Sequence, residues 1–219
     1  MTEETKAEKP SLLGMIWSPT EQFERIRERP LIWGALAIIT VLFIIGMWLQ
    51  SLGVEIPELE GIPEEQLANV QVFSTIGIII GGLFTPVITI LISSFIYWLI
   101  AKIVRSDVSF RQLFSMNTYI MIISALSLII NGIAFALFGG SPEMMFTSLG
   151  SVIDAEGAMN GLLNSIEVFT IWGVILTAIG LNKVAEFSKG LAWTLSIAFF
   201  VISVIFAMIG ASISGMVGA

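Results

Sequence analysis

Few side chains in this sequence are able to do chemistry. Histidine and cysteine are both missing from its 219 residues. The commonest general base, the commonest zinc ligand and the thiolate nucleophile are therefore excluded. A serine–histidine pair and the histidine-based metallopeptidase motifs fall with them. Serine–lysine catalysis needs a desolvated lysine, but every lysine lies in a charged segment or at the edge of an apolar run. Gly81-Gly82 and Gly139-Gly140 lack the lysine and the spacing of a phosphate-binding loop. No metal and no cofactor is expected. One acid, Glu167, falls inside a long apolar stretch. Such a residue reads either as a carboxylate reaching water at a membrane interface or as a site for a cation or a peptide amine.

Other candidates are features of packing. Asn117, Asn131, Asn164 and Gln50 are amides in or near apolar segments, suited to hydrogen bonds between helices, and no cluster of them is visible along the chain. Thr85-Pro86 marks a candidate kink, with Gly81 and Gly82 upstream. Gly77 and Gly81 form GxxxG, and Ser203, Ala207, Ala211 and Gly215 recur every fourth residue. The latter form a small-residue face that either packs within its own bundle or docks a partner helix. Glu55, Glu58, Glu60, Glu64 and Glu65 crowd one acidic loop that lacks the EF-hand pattern.

These residues sit among apolar elements. Hydrophobic residues make up 56% of the chain and charged residues 12%. Mean hydropathy is +0.93. A soluble domain carries roughly twice that share of charge, so the composition indicates an integral membrane protein. Five apolar segments stand out, at about 31–52, 76–101, 113–138, 165–181 and 191–213. Runs such as Val41–Ile45 and Ile76–Ile80 do not alternate as barrel strands would. The expectation is an all-α bundle of five transmembrane helices in one domain, 31–213.

Charge fixes the orientation. Lys6, Lys9, Arg25, Arg27 and Arg29 precede the first segment, Lys102, Arg105 and Arg111 follow the second, and Lys183 and Lys189 follow the fourth. These are all ten basic residues. The intervening loops hold acids alone, including Glu143, Asp154 and Glu156. The positive-inside rule then places the N-terminus in the cytoplasm and the C-terminus outside. Net charge is −7, which argues against a nucleic-acid partner. The first 30 residues carry six acids and no long apolar run, so no cleavable signal peptide is expected. Residues 1–10 read as a disordered charged tail, and 11–30 as an interfacial amphipathic helix on the cytoplasmic side. Ser18-Pro19-Thr20-Glu21 has the pattern of a capping box, and Pro30 ends the helix. Phe23 and Ile26 share one face.

Ser18-Pro19 with Phe23 and Pro30, then Ser109-Phe110-Arg111-Gln112-Leu113-Phe114 leading to Tyr119, resemble segments of the Yip domain family. Val168-Phe169-Thr170-Ile171-Trp172, Leu176-Thr177-Ala178-Ile179-Gly180-Leu181 and Ser188-Lys189-Gly190-Leu191-Ala192 strengthen the likeness. A proline common after the tyrosine in that family is missing after Tyr119, so nothing tied to that break carries over. The resemblance implies five transmembrane helices with a cytoplasmic N-terminus. It is greatest to small bacterial members associated with an ABC-type export system that protects against a toxic peptide. It therefore implies a non-enzymatic accessory or assembly subunit in the bacterial plasma membrane, with the lipid bilayer and other transporter subunits as partners. The rivals are a stand-alone transporter or channel, which needs a polar path, and an intramembrane enzyme, which the missing residue types disfavour.

Overall fold

A computed structural model describes residues 8–52, 64–139 and 145–217. The loop acids Glu55, Glu58, Glu60 and Glu143 lie outside them. The described residues are helical, without a named strand: α1 Gly14–Trp17, α2 Pro19–Glu28, α3 Trp33–Leu52, α4 Glu64–Ile103, α5 Phe110–Phe138, α6 Gly157–Ser165, α7 Val168–Lys183 and α8 Lys189–Val217. A short 3₁₀ turn occupies Leu149–Ser151.

Among the described residues, four helical stretches are long and apolar enough to cross a membrane: Trp33–Leu52, Val72–Ile103, Phe110–Phe138 and Lys189–Ser214. The fourth expected segment, 165–181, differs from that expectation. It becomes α7, with 16 residues and a length of about 24 Å, short of a typical hydrocarbon core. The chain leaves helical geometry just before it, at Ile166 and Glu167. The expected kink at Thr85-Pro86 leaves α4 one helix of 40 residues, unbroken through Pro86. Thr85 is exposed and Pro86 is buried.

The chain divides into two compact units. The first comprises Met1–Ile39, Ile88–Ser124 and Thr170–Ser203, the second Thr40–Val87, Ala125–Phe169 and Val204–Ala219. All ten Lys and Arg residues belong to the first, with eight of the seventeen acids, and the second holds nine acids and no base.

Within the second unit, glycine sets the helix contacts. A Cβ on Gly82 of α4 would stand 2.8 Å from the Ile44 Cα of α3, and one on Gly132 of α5 would stand 2.9 Å from the Gly46 carbonyl oxygen. Helix backbones approach this closely only where no side chain intervenes. Gly77, the first residue of the GxxxG, faces open space. The contact therefore uses Gly82, which the four-residue pattern passes over.

In the first unit, a capping box does occur, but at another place. Ser109 Oγ accepts the Gln112 amide at 3.3 Å, and Gln112 Oε1 accepts the Ser109 amide at 2.9 Å. This starts α5. The box expected at Ser18–Glu21 is absent: Ser18 makes no side-chain cap. Its hydroxyl turns back to the Gly14 carbonyl at 3.4 Å, and Glu21 is drawn to Arg25 at 2.6 Å.

These glycine contacts predict a contrast. Gly132→Val should destabilise the protein by about 1–3 kcal/mol, the usual cost of overpacking. Gly77→Ala should be neutral or slightly stabilising, since alanine is the better helix former. Thermal unfolding in mild detergent measures both.

Candidate functional site

Glu167 is 1% exposed. The expectation of a carboxylate reaching water is thereby overturned. The cause is the break between α6 and α7. A segment that leaves helical geometry must satisfy its backbone elsewhere, and here Ser148 and Glu167 form an antiparallel bridge. The Leu149 amide donates to the Ile166 carbonyl at 3.1 Å, and the Val168 amide donates to the Thr147 carbonyl at 3.3 Å. This pairing turns the Glu167 side chain inward.

Asn131 Nδ2 donates to Thr147 Oγ1 at 2.8 Å and lies 3.3 Å from Ser127 Oγ. An amide nitrogen is only a donor, so each hydroxyl is left to direct its single proton elsewhere. Both protons go to Glu167 Oε1, at 2.7 Å from Thr147 and 3.1 Å from Ser127. Asn131 Oδ1 in turn accepts the Thr147 amide at 3.1 Å. Two donors on one oxygen suit a carboxylate. The carboxylate also stands just ahead of the first residue of α7, where the helix dipole favours negative charge.

A second amide extends the network. Asn164 Oδ1 accepts from the Ser148 hydroxyl at 2.9 Å and from the Met145 amide at 3.2 Å, and its Nδ2 donates to Asn160 Oδ1 at 2.7 Å. Asn160 and Asn164 line a groove of about 310 Å³ together with Gly161, Ser165, Ala207, Ala211 and Ser214. α6 meets α8 here, and a Cβ on Gly161 would stand 2.5 Å from the Ala207 carbonyl oxygen. The middle of the small-residue face is thus in contact with the chain's own α6. Ser203, at its start, is exposed and donates to the Phe199 carbonyl at 3.0 Å. Gly215 falls in the closing turn of α8.

Among the described residues no buried side-chain nitrogen or oxygen lacks a partner. Asn131 reaches Glu167 through Thr147 and Ser127, and Asn164 accepts from the hydroxyl of Ser148, the residue bridged to Glu167, although nothing in the linear sequence groups them. Asn117 is elsewhere, in the first unit, donating to Ser94 Oγ of α4 at 2.9 Å. Ser127, Thr147, Ser148 and Asn160 carried no sequence signal of their own. Only the four-residue spacing of Ser127 and Asn131 on one face of α5 hinted at a shared role.

The second candidate element is the N-terminal helix. Phe23 and Ile26 are fully buried. Phe23 Cε1 and Met116 Sδ lie 3.0 and 2.9 Å from where a Gly180 Cβ would stand. The apolar face of α2 is therefore occupied by α5 and α7. Leu13 and Trp17 remain exposed. Polar contacts surround the dock: Lys183–Glu24 at 2.7 Å, Arg27–Glu186 at 2.5 Å, and Gln112 Nε2 donating to the Arg27 carbonyl at 2.8 Å. Arg25 pairs with Glu8 as well as Glu21, and Tyr119 Oη donates to the Pro10 carbonyl at 3.3 Å, so residues 8–10 lie against the same unit.

Three substitutions separate the roles of these elements. Glu167→Ala removes the acceptor of the Ser127 and Thr147 hydroxyls and should cost on the order of 2–4 kcal/mol, whereas Glu167→Gln keeps an acceptor oxygen and should cost less. Phe23→Ala should cost about 3–5 kcal/mol, as for other buried aromatics. Unfolding followed by tryptophan fluorescence reads all three.

Comparison with known proteins supplies the family. The Yip1 domain matches residues 13–211. Membrane protein YknW of Bacillus subtilis (strain 168) is 37% identical over 221 residues, covering 98% of this chain and 96% of the relative. No solved structure matches significantly. With most of its length matched by the domain and nearly all of it by a relative, this chain belongs to the Yip1 domain family of membrane proteins.

Proposed function

We propose that this chain is a five-span, non-enzymatic accessory or assembly subunit of an ABC-type export system in the bacterial plasma membrane, serving protection against a toxic peptide. The observation that carries the reading is the whole-length likeness to a small bacterial Yip1 member. Members of that kind are the ones whose resemblance implied the exporter association. The working surfaces would be helix faces. Phe73, Phe84, Ile92 and Phe95 of α4 and Ile202, Phe206 and Ile209 of α8 are exposed apolar side chains that lipid or partner helices can cover.

The five-span topology draws support from the division of residues. α3, α4, α5 and α8 each divide their residues between the two units. So does the stretch from α6 through α7, which adds the passage that α7 alone is too short to supply. Every base belongs to the first unit and none to the second, the sorting that the positive-inside rule requires of a five-span chain with a cytoplasmic N-terminus.

One observation favours the stand-alone transporter as a second reading. A buried acid at the break of an apolar helical segment is the arrangement on which transporters build ion sites.

The absence of cysteine makes labelling clean. A cysteine replacing Asp154 should react with an impermeant thiol reagent on intact cells, and one replacing Arg111 should react only after permeabilisation. The opposite pattern defeats the topology. The tagged chain, purified in mild detergent from native membranes, should bring exporter subunits with it in a fixed ratio. Recovery of the chain alone, together with solute movement in liposomes that Glu167→Gln abolishes, would establish the transporter instead.

A further inference from the structure

Two helices in the first unit end on a residue in the left-handed region that is not glycine. Arg105 follows α4 with φ 59°, and Glu186 follows α7 with φ 56°. At α4 the Ser106 amide reaches back to the Ala101 carbonyl at 2.9 Å, the closing bond of a turn that ordinarily takes glycine at this position. An L side chain is strained there. At Glu186 the side chain has a visible use, since its carboxylate holds Arg27 of α2 at 2.5 Å. At Arg105 it has none within the chain: among the described residues the guanidinium makes no hydrogen bond or ion pair. Asp107, two residues on, also has no such partner.

Both side chains line one cavity of about 390 Å³, with Ser106, Glu186, Phe187 and Ser188 among its other walls. The walls are held together, because the Ser106 hydroxyl donates to the Ala185 carbonyl at 2.6 Å. The cavity lies where two apolar spans end. Ile103, the last residue of one span, is 79% exposed beside it, and Lys189 begins the other. That is the level of lipid headgroups.

The charges define the ligand. Glu186 is already matched by Arg27, which leaves one guanidinium and one carboxylate facing the same space. A planar guanidinium binds a phosphate through two parallel hydrogen bonds. The carboxylate accepts from a primary ammonium, whereas a quaternary ammonium has no proton to donate. Acyl chains of the same molecule would run along Ile103 and Val104. We propose that this cavity binds the zwitterionic headgroup of a phosphatidylethanolamine-class lipid, with Arg105 on the phosphate and Asp107 on the ammonium. The site rests on membrane embedding and is independent of the exporter reading.

The test uses the full chain in mild detergent, titrated with phosphatidylethanolamine or phosphatidylcholine of identical acyl chains, with the shift in unfolding temperature as the readout. Phosphatidylethanolamine should stabilise the chain with an apparent affinity roughly tenfold above that of phosphatidylcholine. Asp107→Asn should erase that preference. Arg105→Gly relieves the backbone strain, so it folds at least as well as the parent, yet it should lose the stabilisation by both lipids. Equal responses of the parent chain to the two lipids would overturn the proposal, as would an undiminished response in Arg105→Gly. Soluble phosphoethanolamine separates the two sources of the headgroup: if it stabilises the chain as well as the lipid does, the ligand is a free phosphomonoester and the lipid site is refuted.

Discussion

A backbone amide that leaves a helix inside apolar surroundings has no solvent to bond, so the chain must provide its partner. In this protein helical geometry breaks at Ile166–Glu167, between α6 and α7, and the backbone groups freed there need partners. The residues 147–149 meet that need by pairing with 166–168. Much of the second unit follows from this one repair. The pairing carries Thr147 and Ser148 to positions where one hydroxyl serves Glu167 and the other Asn164. The break also lets α6 lie against α8, which works only because Gly161 has no side chain to meet the Ala207 backbone.

Between helices, the same surroundings change what holds elements together. Lipid tails are as apolar as leucine, so association depends on close packing and on hydrogen bonds, with little help from expulsion of water. The glycines divide accordingly. Gly46, Gly82, Gly132, Gly161 and Gly180 each stand where an added Cβ would collide with a neighbouring helix, whereas Gly77, Gly173 and Gly210 face open space. The N-terminal helix uses another arrangement. Its buried Phe23 fills the place that Gly180 leaves beside Met116. Ion pairs at its rim are partly exposed, and pairs of that kind contribute about 0–1 kcal/mol each. The burial of Phe23 and Ile26 therefore outweighs them in holding α2.

Legibility in the sequence followed the range of the interaction. Helical class, apolar segments and the grouping of bases are local or compositional, and each could be read from the chain alone. α3, α5 and α8 fall within a few residues of the segments read as 31–52, 113–138 and 191–213. Features that depend on contacts between distant residues were hidden. Ser18–Glu21 and Ser109–Gln112 both have the capping-box pattern, and only the contacts decide between them: Arg25 competes for Glu21, while nothing diverts Gln112 from the Ser109 amide. Glu167 was visible as an acid in an apolar stretch. Its burial was not, because the groups that solvate it lie 40 and 20 residues away in sequence.

The separation of charge explains why Glu167 is solvated as it is. A buried acid commonly takes a lysine or arginine partner, but residues 40–87, 125–169 and 204–219 contain neither. A base added there would break the sorting of charge between the two units. The partners seen for the acid are dipoles: the Thr147 and Ser127 hydroxyls, the first of them also bonded by Asn131, and the N-terminal end of α7 beside it. Dipoles fixed in place in this way must be built around the carboxylate, and they lose their purpose if it is removed. The absence of bases from these segments thus fits the serine, threonine and asparagine side chains gathered around Glu167.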